Sequence, residues 1–272
     1  MEVLLHQIDA FADAPFSGNP AAVMPLSAWL PDALLQNLAE ENNLAETAFY
    51  TAQLPPDAGA RPGEWPAFHL RWFTPTLEVN MCGHATMAAA AQVLEDIHPG
   101  EDRVSFFTRS GWLHVDRTDD DEYVLDLPAL ESREIEPDPV LIDALGVRPV
   151  RAFTGFDEVI VLGSEQEVRD AHPNFAAFPP LAFDAVITAR GESSDIVSRV
   201  FGPDLGVIED PVTGSAHAQL VPLWTRELGR TELTARQLSH RGGSMRCELV
   251  GDRVLLVGRC RRYLDGVVTL PD

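Results

Sequence analysis

From Val3 to Ala10 the chain alternates as a strand, and Phe16-Ser17-Gly18-Asn19-Pro20 is a turn that opens into a second apolar run, Ala21 to Met24. Trp29 to Asn42 repeats its leucines (Leu30, Leu34, Leu35, Leu38) at helical spacing after Pro31-Asp32. The pattern stops at Asn42-Asn43, residues that accept a left-handed cap. Strands follow at Glu46–Tyr50 and His69–Phe73, on either side of a polar, Pro-rich insert. Cys82-Gly83-His84 then opens an Ala-rich helix that runs to about Leu94 and is apolar nearly all round. Such a helix belongs inside a structure, so the pattern predicts a sheet wrapped around it.

After strand patterns at 103–107, 111–117 and 122–127 the order begins again. A helix is expected at 138–145, strands at 150–153 and 157–162, a helix from 165, and strands near 184–189 and 206–209. Thr213-Gly214-Ser215-Ala216-His217 opens a second apolar helix to Leu228, and strands follow at 236–240, 245–250, 253–258 and 265–269. Each half thus has strands, a Gly turn (Gly83-His84-Ala85 or Gly214-Ser215-Ala216), a buried helix and more strands. This is the pattern of a duplicated α+β unit, two half-barrels each wrapped on a central helix. The expected halves are residues 1–118 and 119–272, with a last strand able to cross back.

Composition narrows the function classes. At 272 residues the chain has room for two ordinary domains, and no run approaches the ~18 apolar residues of a membrane span. Its N-terminus has no basic segment and meets Asp9 before an apolar one could form, so no secretory signal is expected and the cytoplasm is the default. Cys82, Cys247 and Cys260 form neither a CxxC pair nor an even disulfide set, which suits a reducing compartment. The net charge is −22 and all 20 basic residues are Arg, so a nucleic-acid partner is not expected. That acidity fits either adaptation to salt or a merely soluble surface.

Several residues carry candidate chemistry. Two Gly-led helix starts, each with free amides and a positive dipole end, suit a small carboxylate if they face each other across a cleft. Gly83 and Gly214 let a ligand approach the backbone, while His84 and Ser215 offer side-chain hydrogen bonds; equally, each is the ordinary grammar of a turn and cap. Glu209-Asp210 places two carboxylates ahead of the second start, where one is a plausible acid/base group or simply an N-cap. Glu46 begins an otherwise apolar strand, where burial would raise its pKa toward the range of a carbon acid/base catalyst and solvation would not. Cys82 precedes the first helix start, but Pro211-Val212-Thr213 holds the matching place in the second half, which argues against a two-thiol racemase. The histidines show no ligand-like spacing, so no metal is expected, and no GxGxxG or GxxxxGK[ST] motif marks a nucleotide pocket.

Six stretches, in order, resemble the PhzF-like family, a branch of the diaminopimelate-epimerase-like fold. They are Asp9-Ala10-Phe11 through Val23, Asn43 through Phe49, Arg71-Trp72-Phe73-Thr74-Pro75, Cys82 through Thr86, Glu209 through His217, and Ser239-His240-Arg241-Gly242-Gly243. The resemblance implies two half-domains around a cleft, a homodimer, no metal or organic cofactor, and an isomerase acting on a small carboxylic acid. By similarity Glu46 is the general acid/base that moves a proton between carbons, Asp210 assists proton return, and His84 hydrogen-bonds the substrate. Gly83, Gly214 and Ser215 would hold its carboxylate, with Asn19 lining the cleft. The chain departs from many relatives at Asn80, where an acidic residue is common, and at Ala218, where a Cys is common, so the phenazine precursor need not be its substrate. Two other functions remain open: an epimerase or dehydratase using Cys82 and Thr213, and a binder of small acids without turnover.

The excess of 42 acidic over 20 basic side chains repels itself in the compact state, and salt screens that repulsion. Unfolding followed from low to molar salt is expected to rise by about 2–4 °C for each ~1 kcal/mol screened. A melting temperature indifferent to salt would mean that the excess charge is already dispersed.

Overall fold

The computed structural model describes residues 1–181, 183–203 and 207–270. In chain order the elements are β1 (Glu2–Ala10), β2 (Asn19–Pro25), α1 (Asp32–Asn42), β3 (Glu46–Thr51), β4 (Ala67–Phe73), β5 (Glu78–Val79), α2 (Gly83–Gln92), β6 (Arg103–Thr108), β7 (Gly111–Arg117), β8 (Tyr123–Pro128) and β9 (Arg133–Ile135). There follow α3 (Pro139–Leu145), β10 (Arg151–Thr154), β11 (Glu158–Val161), α4 (Glu165–Arg169), β12 (Ala185–Arg190), β13 (Ile196–Gly202), β14 (Val207–Asp210), α5 (Gly214–Leu228), β15 (Glu232–Gln237), β16 (Gly243–Val250), β17 (Arg253–Gly258) and β18 (Cys260–Thr269). The chain divides into two compact units, Met1–Asp126 with Val257–Asp272, and Leu127–Leu256.

In the first unit β18 pairs antiparallel with β1, β1 antiparallel with β2, β2 parallel with β3, β3 antiparallel with β4, β4 parallel with β6, and β6 antiparallel with β7. All ten residues of α2 are buried, and the helix packs on β1, β2, β3 and β7. Four successive alanines, Ala88 to Ala91, let strands approach its backbone from several sides. Gly18 turns the chain into β2 with φ +72°, and a Cβ there would lie 2.3 Å from the Ala10 carbonyl oxygen, so only glycine fits.

The second unit repeats this logic. β10 pairs antiparallel with β11, β11 parallel with β12, β12 antiparallel with β13, β13 parallel with β15, and β15 antiparallel with β16. In each unit a short strand, β5 or β14, folds back antiparallel on the preceding long one and delivers the chain to the buried helix, α2 or α5. The class is α+β with mixed sheets wrapped on central helices, as the repeated sequence pattern predicts.

Some elements differ from expectation. The helix expected from Trp29 starts at Asp32, because Pro31 takes extended angles (φ −56°, ψ 140°) and Trp29 and Leu30 instead pack beside the helix's apolar face. Neither β13 nor the three-residue β9 stands out in the sequence; β13 is buried at six of its seven positions and so lacks the alternation of a half-buried strand. The strand expected at 236–240 is β15, which ends at Gln237, where Ser239 Oγ accepts from the Gly242 amide and turns the chain. Residue 206 of the strand expected at 206–209 lies outside the described residues.

Met87 is fully buried at the middle of α2, so Met87→Ala leaves a cavity on every side. A loss of about 2–5 kcal/mol in denaturant unfolding is expected. A loss below ~1 kcal/mol would contradict a close-packed helix.

Candidate active site

Four side chains converge in the first unit. Asn19 is the first residue of β2 and Glu46 the first of β3, which runs parallel to β2 with Glu46 opposite Ala21. Glu46 reaches this position because α1 stops at Asn43, whose left-handed backbone (φ 48°) returns the chain to the sheet, and the Asn42 side-chain Nδ2 then donates to Thr47 Oγ1 at 3.2 Å. Cys82 is the N-cap of α2, Gly83 its first residue and His84 its second.

Asn19 Nδ2 donates to His84 Nδ1 at 3.0 Å, and Cys82 Sγ lies 3.5 Å from the same nitrogen. An amide nitrogen only donates, so the proton of the neutral ring sits on Nε2. That nitrogen lies 3.2 Å from Glu46 Oε2 but is not aligned with it as a hydrogen bond. The His84 side chain is 4% exposed and that of Glu46 15%, so water reaches the carboxylate and hardly reaches the ring. Burial pushes the His84 imidazole down to about 3, which keeps it uncharged at neutral pH. The arrangement is therefore a carboxylate beside a neutral hydrogen-bond donor at the start of a buried helix. The N-cap Cys82 makes no side-chain cap bond to that helix start.

The second unit assembles the other predicted residues. Glu209 is engaged by Arg199 through two bonds of 2.7 and 3.1 Å, which makes it a structural ion pair. Asp210 instead accepts from the Thr213 hydroxyl at 2.5 Å. Gly214 and the partly exposed Ser215 open α5, whose N-cap Thr213 makes no side-chain cap bond. Sequence reasoning missed Gln237. Its Oε1 accepts from the Thr213 amide at 2.9 Å, and its Nε2 donates to the Asp210 carbonyl at 2.7 Å and to Thr213 Oγ1 at 3.1 Å. Ser239 adds a bond to the Pro211 carbonyl at 2.8 Å. A glutamine in β15 gives no sign in the sequence that it fixes a turn before α5.

His217 lies in α5 with Nδ1 donating to the Thr213 carbonyl at 2.7 Å, and burial lowers it to about 4 against that bond. Asp157 and Asp184 shift the other way. Burial, then the neighbouring Asp184 charge, lifts Asp157 to about 8, and burial lifts Asp184 to about 6. Between about 6.5 and 4 the unfolded chain binds protons that the two folded histidines refuse, so their contribution to stability falls as pH falls. The two aspartates hold protons longer when folded, so their contribution is present at low pH and is lost as pH rises through about 6 and 8. Ring-nitrogen NMR at pH 5 should find His84 and His217 neutral. A charged His84 at that pH would contradict its dry environment.

A family model described as phenazine biosynthesis-like protein matches residues 8–261. The chain is 47% identical over 274 residues to an uncharacterized isomerase of Pseudomonas aeruginosa, covering 99% of this chain and 100% of that one. It superposes with a TM-score of 0.88 on the crystal structure of a PhzF-family phenazine biosynthesis protein from Enterococcus faecalis, at 40% identity and with 99% and 100% of the two chains covered. A hydroxyproline epimerase from Agrobacterium vitis, solved with trans-4-OH-L-proline, shares the fold alone at 12% identity and TM-score 0.62, over 100% of this chain and 93% of its own. No helix among the described residues is long and apolar enough to cross a membrane. The match over nearly the whole length, at identities this high, makes the chain a member of the phenazine biosynthesis-like (PhzF) family.

Proposed function

We propose that this protein is an isomerase that moves a proton between carbons of a small carboxylic acid, with Glu46 as the general acid/base. The observation that carries this reading is the half-buried Glu46 carboxylate 3.2 Å from a neutral His84. A group that removes a proton from carbon and returns it must hold that proton briefly, and partial burial beside an uncharged partner favours this. A cationic His84 would hold Glu46 ionised; a neutral ring does not, and its Nε2–H is free to donate to an enolate-like oxygen as charge develops there. Asn19 is the positioning residue, since it fixes the ring proton on Nε2.

In the second unit, Asp210 is the group we assign to assisting proton return, held in place by Thr213. The amides at Gly83, Gly214 and Ser215 are proposed carboxylate holders, as uncapped helix starts favour anions. The names of relatives support isomerase chemistry, and the P. aeruginosa relative is named as one. The alternative in which Cys82 and Thr213 act as a base pair is weaker, because the Thr213 hydroxyl is a poor base and already donates to Asp210.

Small unsaturated and cyclic carboxylic acids incubated in D₂O should take up deuterium with the wild type. Glu46→Gln should lower that rate by about 10²–10⁴-fold, the usual contribution of a placed acid/base. Exchange retained in Glu46→Gln would overturn the assignment and point to Cys82 or Asp210. No exchange by the wild type with any acid, where the same acids bind, would favour a binder without turnover.

A further inference from the structure

Glu46, Cys82 and His84 each offer one ligand atom, and the three atoms lie within 4.8 Å of one another. The spacing of histidines along the chain gives no hint of this, because the carboxylate comes from β3 and the other two groups from the start of α2. We propose that these residues bind one Zn²⁺ ion, or a similar borderline divalent cation, and that the bound ion blocks Glu46 from proton transfer. The blocking half of the proposal rests on the role assigned to Glu46 above; the binding half does not.

Donor chemistry selects the metal. A thiolate, an imidazole and a carboxylate together suit zinc and exclude the hard cations that prefer oxygen alone. Geometry agrees. With bonds near 2.0–2.1 Å, the nitrogen and oxygen ligands of a tetrahedral zinc stand about 3.3 Å apart, and the oxygen lies roughly 35–40° off the direction of the nitrogen lone pair. His84 Nε2 and Glu46 Oε2 are 3.2 Å apart, close to the separation of two such ligands. The sulfur edges of such a tetrahedron are about 3.5 Å. Cys82 Sγ lies 3.5 Å from His84 Nδ1, within the 4.8 Å group of ligand atoms, and turns toward the Nε2 side to join the ion.

Binding balances in protons. The Cys82 thiol releases its proton to solvent as the Zn–S bond forms, and the ring proton of His84 moves from Nε2 to Nδ1. The Asn19 carboxamide, now within 3.0 Å of that nitrogen through its Nδ2, turns to accept with its oxygen, the outer partner that ligating histidines commonly have. Three protein ligands leave the fourth position to water or substrate, as in open zinc sites. Zinc on the buried Glu46 Oε2 lowers the basicity of the whole carboxylate, so its other oxygen no longer takes a proton from carbon.

Metal-stripped protein titrated with Zn²⁺ against a chromophoric chelator should take up one equivalent. Cys82→Ser and His84→Gln should each weaken binding by at least about 100-fold, beyond the range typical of an outer-shell change, and Asn19→Ala by about 10–100-fold. Co²⁺ should give a thiolate charge-transfer band that Cys82→Ser and Cys82→Ala both lose, while their metal-free melting curves show that they fold. No stoichiometric uptake, or uptake unchanged in both ligand variants, would overturn the site. In the deuterium-exchange assay zinc should suppress the wild type and a chelator should restore it; zinc bound at the site with exchange undiminished would overturn the blocking role. Metal-free wild type that exchanges no acid at all would count against the isomerase reading, while the titration would still decide the metal site.

Discussion

A helix with no exposed face can exist only where something covers it on every side, and α2 is such a helix. Its ten positions are buried, and most of them are alanine, glycine or threonine, side chains too small to hold strands at arm's length. The sheet of the first unit therefore curls around it, and the ends of β2 and β3 come to lie at its N-terminus, because both strands pack along its length. That convergence places Asn19, Glu46, Cys82 and His84 together without any loop having to fold precisely. The site is rigid because it is made of strand and helix ends whose positions are set by packing.

The fold was legible to the extent that burial leaves a sequence trace. The all-apolar helices following Gly83 and Gly214 show in the sequence because every neighbour is a small or apolar residue, and the repeat shows because both halves carry that signal in the same order. β13 did not show, since a strand covered on both faces has no alternation to read. The candidate site was legible as residue types and not as contacts. That Glu46 meets His84 depends on the parallel register of β2 with β3 and on where α1 stops, and neither follows from local pattern. Cys82 appeared as a lone thiol ahead of a helix because its neighbour in space, Glu46, belongs to β3, with β4 and β5 between them in the chain; the same long-range pairing hid Gln237 from view.

The acid pair Glu209-Asp210 shows how structure sorts two residues that sequence treats alike. Both carboxylates precede the same helix, and a negative charge there has two uses: to pin the chain or to act on a ligand. Arg199 decides between them. Its guanidinium makes a two-point contact with Glu209, donates to the Ala171 carbonyl at 2.7 Å, and stacks over the Phe201 ring at 5.1 Å. A lysine ammonium has no planar face to stack and no fork to match a carboxylate, so the same anchorage would be lost. The pattern recurs in this lysine-free chain: Arg71 grips Glu78 and stacks on Trp29, and Arg151 grips Glu134 and stacks on Phe153. With Glu209 held in such a clamp, Asp210 is the carboxylate that meets the helix start, bonded by the Thr213 hydroxyl and set on a backbone that Gln237 holds from the neighbouring strand. The division of labour follows from strand alternation, since adjacent residues of β14 point to opposite faces and only one of them can meet Arg199 on β13.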